Sequence, residues 1–261
     1  MPVLIVLVPT PGLVATAFLK SMIGLSQVLP RHGVSFAIKT YEFSDIVVSR
    51  NYLMSYFLSQ PQFTHALLLD CDLGFEPEQV LRLFRHGADF VAAPYPRRRL
   101  AVGRFHDLVL ANAALPPEHR QSPETLAARS YGYVLQAGVA AGKNFVRRRR
   151  GDFVTAPGLG MGFSLISRAV PETMVARGVV HPLPRQGRLP EYRDAPRFHD
   201  FFGHSLSPDG TMMYGEDQSF CHRWIFGCDG DLWIDTKARV THYGQTGFVG
   251  DYGAEPQPPT G

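Results

Sequence analysis

The sequence predicts a single α/β domain with long loop insertions, built on a mostly parallel sheet flanked by helices. Three observations predict it. The first ninety residues alternate short apolar runs with helix-length segments, the pattern of strands joined by crossover helices. Some runs, Val3–Val8 first among them, are apolar at every position, as strands buried on both faces require. A length of 261 residues at 45% hydrophobic content suffices for one large core.

Val3–Val8 is the first strand. Leu13–Leu29 has helical spacing, and Pro30 is expected to end it. Val34–Thr40 reads as the second strand. Ser49 is a candidate N-cap for a helix from Arg50 to Ser59, with Pro61 beyond its end. Ala66–Leu69 is a third buried strand, Pro77–Phe84 a helix with proline at its first position, and Phe90–Ala93 a fourth strand. Past Pro94 the regularity is lost. Arg97 to Gln121 reads as a loop-rich excursion, followed by a helix at Pro123–Arg129 and a strand at Tyr131–Ala137. Arg147–Arg150 would place charge on both faces of a strand, which predicts a turn or an exposed edge. Gly158–Ser167 passes from glycine-rich to apolar, a loop entering a buried strand, where Gly160 and Gly162 permit close approach of a ligand. Residues 182–213, rich in Pro, Arg and His, read as a long functional loop rather than core. Glu216–Phe226 is helical, Asp231–Asp235 and Arg239–His242 are strand-like, and the tail from Gly250, with Pro256, Pro258 and Pro259, is expected to fray.

The net charge of +3 does not by itself imply nucleic acid, but residues 91–150 hold 11 Lys/Arg against 3 Asp/Glu. That concentration marks an anion-binding stretch or a basic surface arm. The runs Arg97–Arg99 and Arg147–Arg150 are open to three readings: diphosphate clamp, contact with an acidic acceptor or an anionic membrane, and solvated surface. Aromatic interleaving of the kind single-strand binders use is absent around Arg147–Arg150, so no nucleic-acid partner is expected. Cys71, Cys221 and Cys228 match no zinc or C-x-x-C spacing and read as reduced thiols of a cytoplasmic protein. Met1 and Pro2 supply no basic leader region, and no segment reaches the length of a spanning helix.

The most informative spot is Leu67-Leu68-Leu69-Asp70-Cys71-Asp72. Two carboxylates at i and i+2 beyond a buried strand lie on one side of an extended chain, at the carboxyl end of the sheet where open α/β folds bind ligands. They suit Mg²⁺ or Mn²⁺, which take one or two carboxylates and complete their shell with water and phosphate oxygens. Gly215-Glu216-Asp217 opens the late helix, where acids also favour the positive N-terminus.

The stretch from Thr64 to Pro77, followed by Ala88-Asp89-Phe90-Val91-Ala92-Ala93-Pro94-Tyr95-Pro96, resembles nucleotide-sugar glycosyltransferases of the GT-A fold. It is similar in particular to bacterial, phage and viral members with an Arg-Asn pair, here Arg50-Asn51, on the helix before the D-x-D strand. The resemblance covers residues 3–96, resumes over 155–244, and does not extend to 98–150. It implies a GT-A domain over 1–245, with a nucleotide-binding half (1–96), a variable basic insertion (97–154) and an acceptor half (155–245), and then a tail (246–261). It implies a donor site at Pro9, Thr10, Arg50, Asn51, Asp70, Cys71 and Asp72. Asp72 would bind the cation, Asp70 a ribose or a metal-bound water, and His242 would complete the shell, favouring Mn²⁺ over Mg²⁺. Asp217 would be the base that deprotonates the acceptor hydroxyl, with Glu216 as an acceptor ligand. Tyr95, Gly160, Gly162 and Trp224 are candidates for acceptor or sugar contacts. The expected partners are a nucleotide-sugar donor, UDP rather than GDP, and a glycan or glycoconjugate acceptor, in the cytoplasm or at the inner face of the membrane.

Two rivals stand beside this expectation. A nucleotidyltransferase making nucleotide sugars normally has a basic glycine-rich loop after the first strand, and Val8-Pro9-Thr10-Pro11-Gly12-Leu13 has one glycine and no Lys or Arg. A non-catalytic sugar-nucleotide or glycan-binding protein would tolerate loss of Glu216 and Asp217. A dinucleotide-dependent oxidoreductase is disfavoured because G-x-G-x-x-G is missing.

Overall fold

The computed structural model describes residues 2–133, 145–183, 198–207 and 209–244. Its core is a mixed eight-stranded sheet. β1 (Val3–Thr10), β2 (Ser35–Glu42) and β3 (His65–Leu69) run parallel, with β1 in the middle. β4 (Leu73–Phe75) lies outside this sheet, while β5 (Phe90–Ala92) belongs to it. Two short ribbon strands, β6 (Pro96–Leu100) and β7 (Tyr131–Tyr133), pair with each other. β8 (Arg149–Arg150), β9 (Phe153–Thr155) and β10 (Phe163–Ser167) follow. β11 (Ser205–Leu206) and β12 (Met213–Tyr214) form a hairpin, and β13 (Trp233–Asp235) and β14 (Val240–His242) are the last strands among the described residues. The strand order of the large sheet is β2-β1-β3-β10-β5-β13-β9-β8.

The third and fourth predicted strands, β3 and β5, are not neighbours. β10 lies between them, antiparallel to both. Its direction follows from its entry: Gly162 sits at the carboxyl end of β3, where the Asp70 amide donates to the Gly162 carbonyl (2.8 Å), so the chain descends from there to Ser167 opposite His65.

Helices α1 (Thr16–Arg31), α2 (Ile46–Ser59), α3 (Glu78–His86), α4 (Val102–Ala113), α5 (Pro123–Ser130), α6 (Ala169–Ala176) and α7 (Glu216–His222) complete the fold. Alternation along β1 divides the core. Leu4, Val6 and Val8 pack with α1 and α3 residues such as Met22, Leu25 and Val80, whereas Ile5 and Leu7 pack with Tyr52 and Phe57 of α2 and Phe220 of α7.

Four expectations need correction. α1 passes through Pro30 to Arg31, because proline in the final turn removes one helical bond and leaves the bend to Gly33, at φ +72°. α2 starts at Ile46, capped by Asp45, whose carboxylate accepts from the amides of Val47 (2.8 Å) and Val48 (3.2 Å). Ser49 is therefore inside the helix, and Arg50 lies in its second turn. The stretch read as a loop-rich excursion holds β6 and α4, and α4 buries no residue and so stands outside the core. Within the predicted loop 182–213, Phe201 and Phe202 are fully buried. The tail after Gly244, the rest of the strand predicted to end at Ala137, and residues 184–197 of that loop lie outside the described residues.

Arg147–Arg150 ends at the sheet's outer strand, as charge on both faces predicts. Next to that edge, Arg82 of α3 holds Asp235 of β13 in a two-pronged pair, Nε to Oδ2 at 2.7 Å and Nη2 to Oδ1 at 2.8 Å. Gln79 (2.9 Å) and the Lys237 amide (2.9 Å) donate to the same carboxylate. No helix among the described residues is long and apolar enough to cross a membrane, and all three cysteines are free thiols.

Candidate functional site

The site forms where β3, α2, α7 and β14 end or face one another at the carboxyl edge of the sheet. β3 stops at Leu69 and the chain turns, the Leu73 amide donating to the Asp70 carbonyl (3.3 Å). The turn breaks the strand alternation on which a shared side for Asp70 and Asp72 depends, and the two carboxylates find different partners.

Asp70 belongs to a cluster around Arg50. Arg50 Nη2 donates to Asp70 Oδ1 at 3.1 Å, and Nη1 donates to Glu216 Oε1 at 3.2 Å and to Asp217 Oδ1. The guanidinium side chain is 4% exposed, the acids 19–24%. Burial opposes the charge of Arg50, but Asp217, Asp70, Tyr95 and Glu216 outweigh it and raise its pKa. Three carboxylates on one guanidinium leave surplus negative charge. Asp217 carries the consequence. Burial pushes its carboxyl up to about 6, and Glu216 and Asp70 add to this against the pull of Arg50 and a hydrogen bond from the Met161 backbone. Arg50, expected at the donor, is enclosed by these three acids and holds them together.

Tyr95 joins this cluster to its neighbour. Its hydroxyl accepts from the Gly162 amide (3.1 Å), and its ring meets His242 edge-on, with centroids 5.1 Å apart. At 5% exposure it is a core contact rather than a sugar platform. A Cβ on Gly162 would lie 2.1 Å from Asp70 Oδ2 and 2.7 Å from the Tyr95 hydroxyl. The close approach expected at Gly162 is thus made by these two side chains. Gly160 is buried in the segment leading to β10.

Asp72 has its own environment. β14 pairs with β4 so that His242 lies opposite Leu73, and the Tyr243 amide donates to the Asp72 carbonyl (2.8 Å). His242 Nε2 stands 3.3 Å from Asp72 Oδ2, and Nδ1 lies 2.8 Å from the Pro96 carbonyl. A carbonyl only accepts, so Nδ1 carries a hydrogen. Nε2 then presents either a second N–H or a lone pair to the carboxylate, and the pair holds a proton or a cation. Burial opposes charging of His242, but Asp72 and the Pro96 carbonyl raise its pKa. Burial would raise Asp72, yet His242 and Arg98 hold it below the ordinary range.

One nitrogen and one oxygen at this spacing fit a cation of the Mn²⁺ kind, and the Nδ1–carbonyl contact is the outer support common to metal-bound histidines. Among the described residues no group of three or more His, Cys, Asp or Glu side chains forms a metal-holding arrangement. A cation held by these two residues would complete its shell with water and phosphate oxygens. Asp70, expected beside the cation at a ribose or a metal-bound water, is drawn to Arg50.

The other candidates divide. Asn51, expected at the donor, is one residue from Arg50 on a helix and points about 100° away from it. Its amide donates to Asp200 (2.9 Å) and accepts from the Phe202 amide (2.8 Å). Thr10 closes the turn after β1, accepting from the Gly12 amide (3.1 Å) and donating to the Leu13 carbonyl (3.2 Å), with Pro9 buried beside it. The Cys71 carbonyl accepts from the Ala15 amide (2.9 Å). Trp224, expected near an acceptor, is in the core: its indole donates to the Asp231 carbonyl (2.9 Å) and leaves no room for a Cβ on Gly230. The sequence marks Arg98 only as one of the run Arg97–Arg99, with a diphosphate clamp among its three readings; in the fold it is the member that meets Asp72 Oδ2, at 3.2 Å. The basic run was its signal, and nothing local distinguishes it from Arg97 and Arg99.

No protein-family model matches the sequence, and no curated protein matches it. Among solved structures, the chain is similar to one described as "Crystal Structure of A197 from STIV", over 97% of this chain and 100% of that one, at 14% identity and a TM-score of 0.43. A likeness at that level carries no argument about family or activity, and what stands on its own geometry is a mixed α/β domain with an acidic cluster at one sheet edge.

Proposed function

We propose that this chain is a divalent-cation-dependent glycosyltransferase of the GT-A type that moves a sugar from a nucleoside diphosphate to an acceptor hydroxyl of a glycan or glycoconjugate, with inversion. One observation carries it: Asp70 and Asp72, Glu216 and Asp217, and His242 come from three distant segments and meet at one sheet edge with more carboxylates than fixed cations. UDP is preferred over GDP on the sequence resemblance alone.

Asp72 and His242 would hold the cation, which would supply positive charge against that of a departing diphosphate. Asp217 takes the acceptor proton on a carboxylate oxygen. An acid held at about 6 is ionised at neutral pH yet basic enough to accept a proton in a transition state. Arg50 keeps Asp217 and Glu216 aligned, and Glu216 is left to accept from the acceptor's hydroxyl.

A thermal-shift panel of UDP, GDP, CMP and dTDP, each with Mn²⁺ or EDTA, tests the donor site. Stabilisation by a nucleoside diphosphate only when Mn²⁺ is present is the expected result, about 2.7 kcal/mol at a hundredfold excess over Kd. Asp72→Ala should then lose donor hydrolysis and transfer while its circular dichroism stays that of the wild type. Undiminished transfer in that variant defeats the proposal.

A further inference from the structure

Seven arginines make up the runs 97–99 and 147–150. Most of those in the second run stay at the far edge of the sheet: Arg148 pairs with Asp231, Arg149 reaches the Gly151 carbonyl, and Arg150 reaches the His86 carbonyl and lies over Trp233. In the first run, Arg97 lies along Gly132 of β7. Arg98 is different. Its Nη1 is 3.2 Å from Asp72 Oδ2, the same oxygen that His242 Nε2 meets at 3.3 Å. The side chain also lies against Gly244, donates to the Tyr243 carbonyl (3.4 Å), and is 52% exposed.

A guanidinium keeps its charge at any working pH. It cannot share Oδ2 with a divalent cation without like-charge repulsion at a few ångströms, so Arg98 and a cation compete for that oxygen. A half-exposed arginine has room to leave. The group best matched to its planar fork is an anion with paired oxygens, which is what a diphosphate presents. The exchange keeps every charge partnered: Asp72 passes from Arg98 to the cation, and Arg98 passes from Asp72 to the diphosphate.

We propose that Arg98 is a charge-exchange clamp, which neutralises Asp72 until a divalent cation takes Oδ2 and then binds the diphosphate of the nucleotide. This rests on the cation seat of the preceding section. Its signature is a pair of effects of opposite sign, which loss of structure does not produce.

The test is calorimetry on the full chain with Mn²⁺ alone and with UDP in saturating Mn²⁺, for wild type, Arg98→Ala, Arg97→Ala and Asp72→Asn. Arg98→Ala should bind Mn²⁺ about two- to fivefold tighter, the scale of losing a partly exposed ion pair. It should bind UDP about tenfold weaker, the scale of one charge-assisted contact. Arg97→Ala should match wild type in both. Mn²⁺ binding that depends on Asp72 but is not tightened by Arg98→Ala overturns this inference and leaves the cation seat standing. Mn²⁺ binding that is absent, or unaffected by Asp72→Asn, overturns both.

Discussion

Arg50 and Arg82 each bind carboxylates from other segments of the chain, and the two clusters behave oppositely. Around Arg82, every strong contact of Asp235 is matched: two guanidinium bonds, Gln79 and the Lys237 amide. Asp235 is fully buried, yet these contacts overcome burial and lower its pKa. Around Arg50, one guanidinium serves Asp70, Glu216 and Asp217, and burial with like-charge neighbours pushes Asp217 up to about 6. A carboxylate with its bonds complete adds to stability, whereas one held in surplus charge is primed to take a proton. Perturbed acids of the second kind mark functional sites more often than structural ones.

The comparison is broken most severely by Arg50→Ala, which leaves three acids without their shared cation. A loss of about 3–5 kcal/mol is expected, together with all transfer activity. Urea denaturation should find the variant relatively more stable at pH 5 than at pH 8, because protons replace the missing charge; an equal deficit at both values defeats that account.

Paired amide substitutions sharpen the contrast. Asp217→Asn should lower kcat about 10²–10⁴-fold, the range for losing a general base, with the melting temperature unchanged or raised. Asp235→Asn should cost about 1–3 kcal/mol of stability and leave kcat as in wild type. Exchanged outcomes would assign the two clusters the opposite roles.

The smallest effects are in pH dependence. The rate should rise about tenfold per pH unit up to a limb near 6 and flatten above it, and Asp217→Asn should remove the limb. Stability carries opposite signs at the two sites. The folded Asp217 holds its proton more tightly than the unfolded value of 3.8, so its contribution falls as pH rises from 3.8 to about 6. The Asp235 pKa is lowered from 3.8, so its contribution is present above that value and is lost as pH falls through its folded pKa.

Much of this was legible in residue order. The fully apolar run at Val3–Val8 has both faces buried, and the acids at Asp70, Asp72, Glu216 and Asp217 do lie at element ends. Arg50 stood out from its neighbourhood, but the acids that enclose it lie up to 167 residues away and no local pattern shows them. Asn51, adjacent in sequence, is separated from it by helical rotation and anchors the turn at Asp200 and Phe202. α4 was missed although its apolar residues recur at helical spacing, and none of them is buried.

By itself, the sequence determined the alternation of strands and helices, the apolar faces they bury, and which chemically capable residues stand at their ends, because those depend on patterns a few residues long. Only the tertiary structure decided that β10 enters antiparallel between β3 and β5, that Arg50 gathers three carboxylates, and that Arg98 meets Asp72 beside His242. Such pairings are settled by packing and charge compensation between segments far apart in the chain, and no local pattern records them.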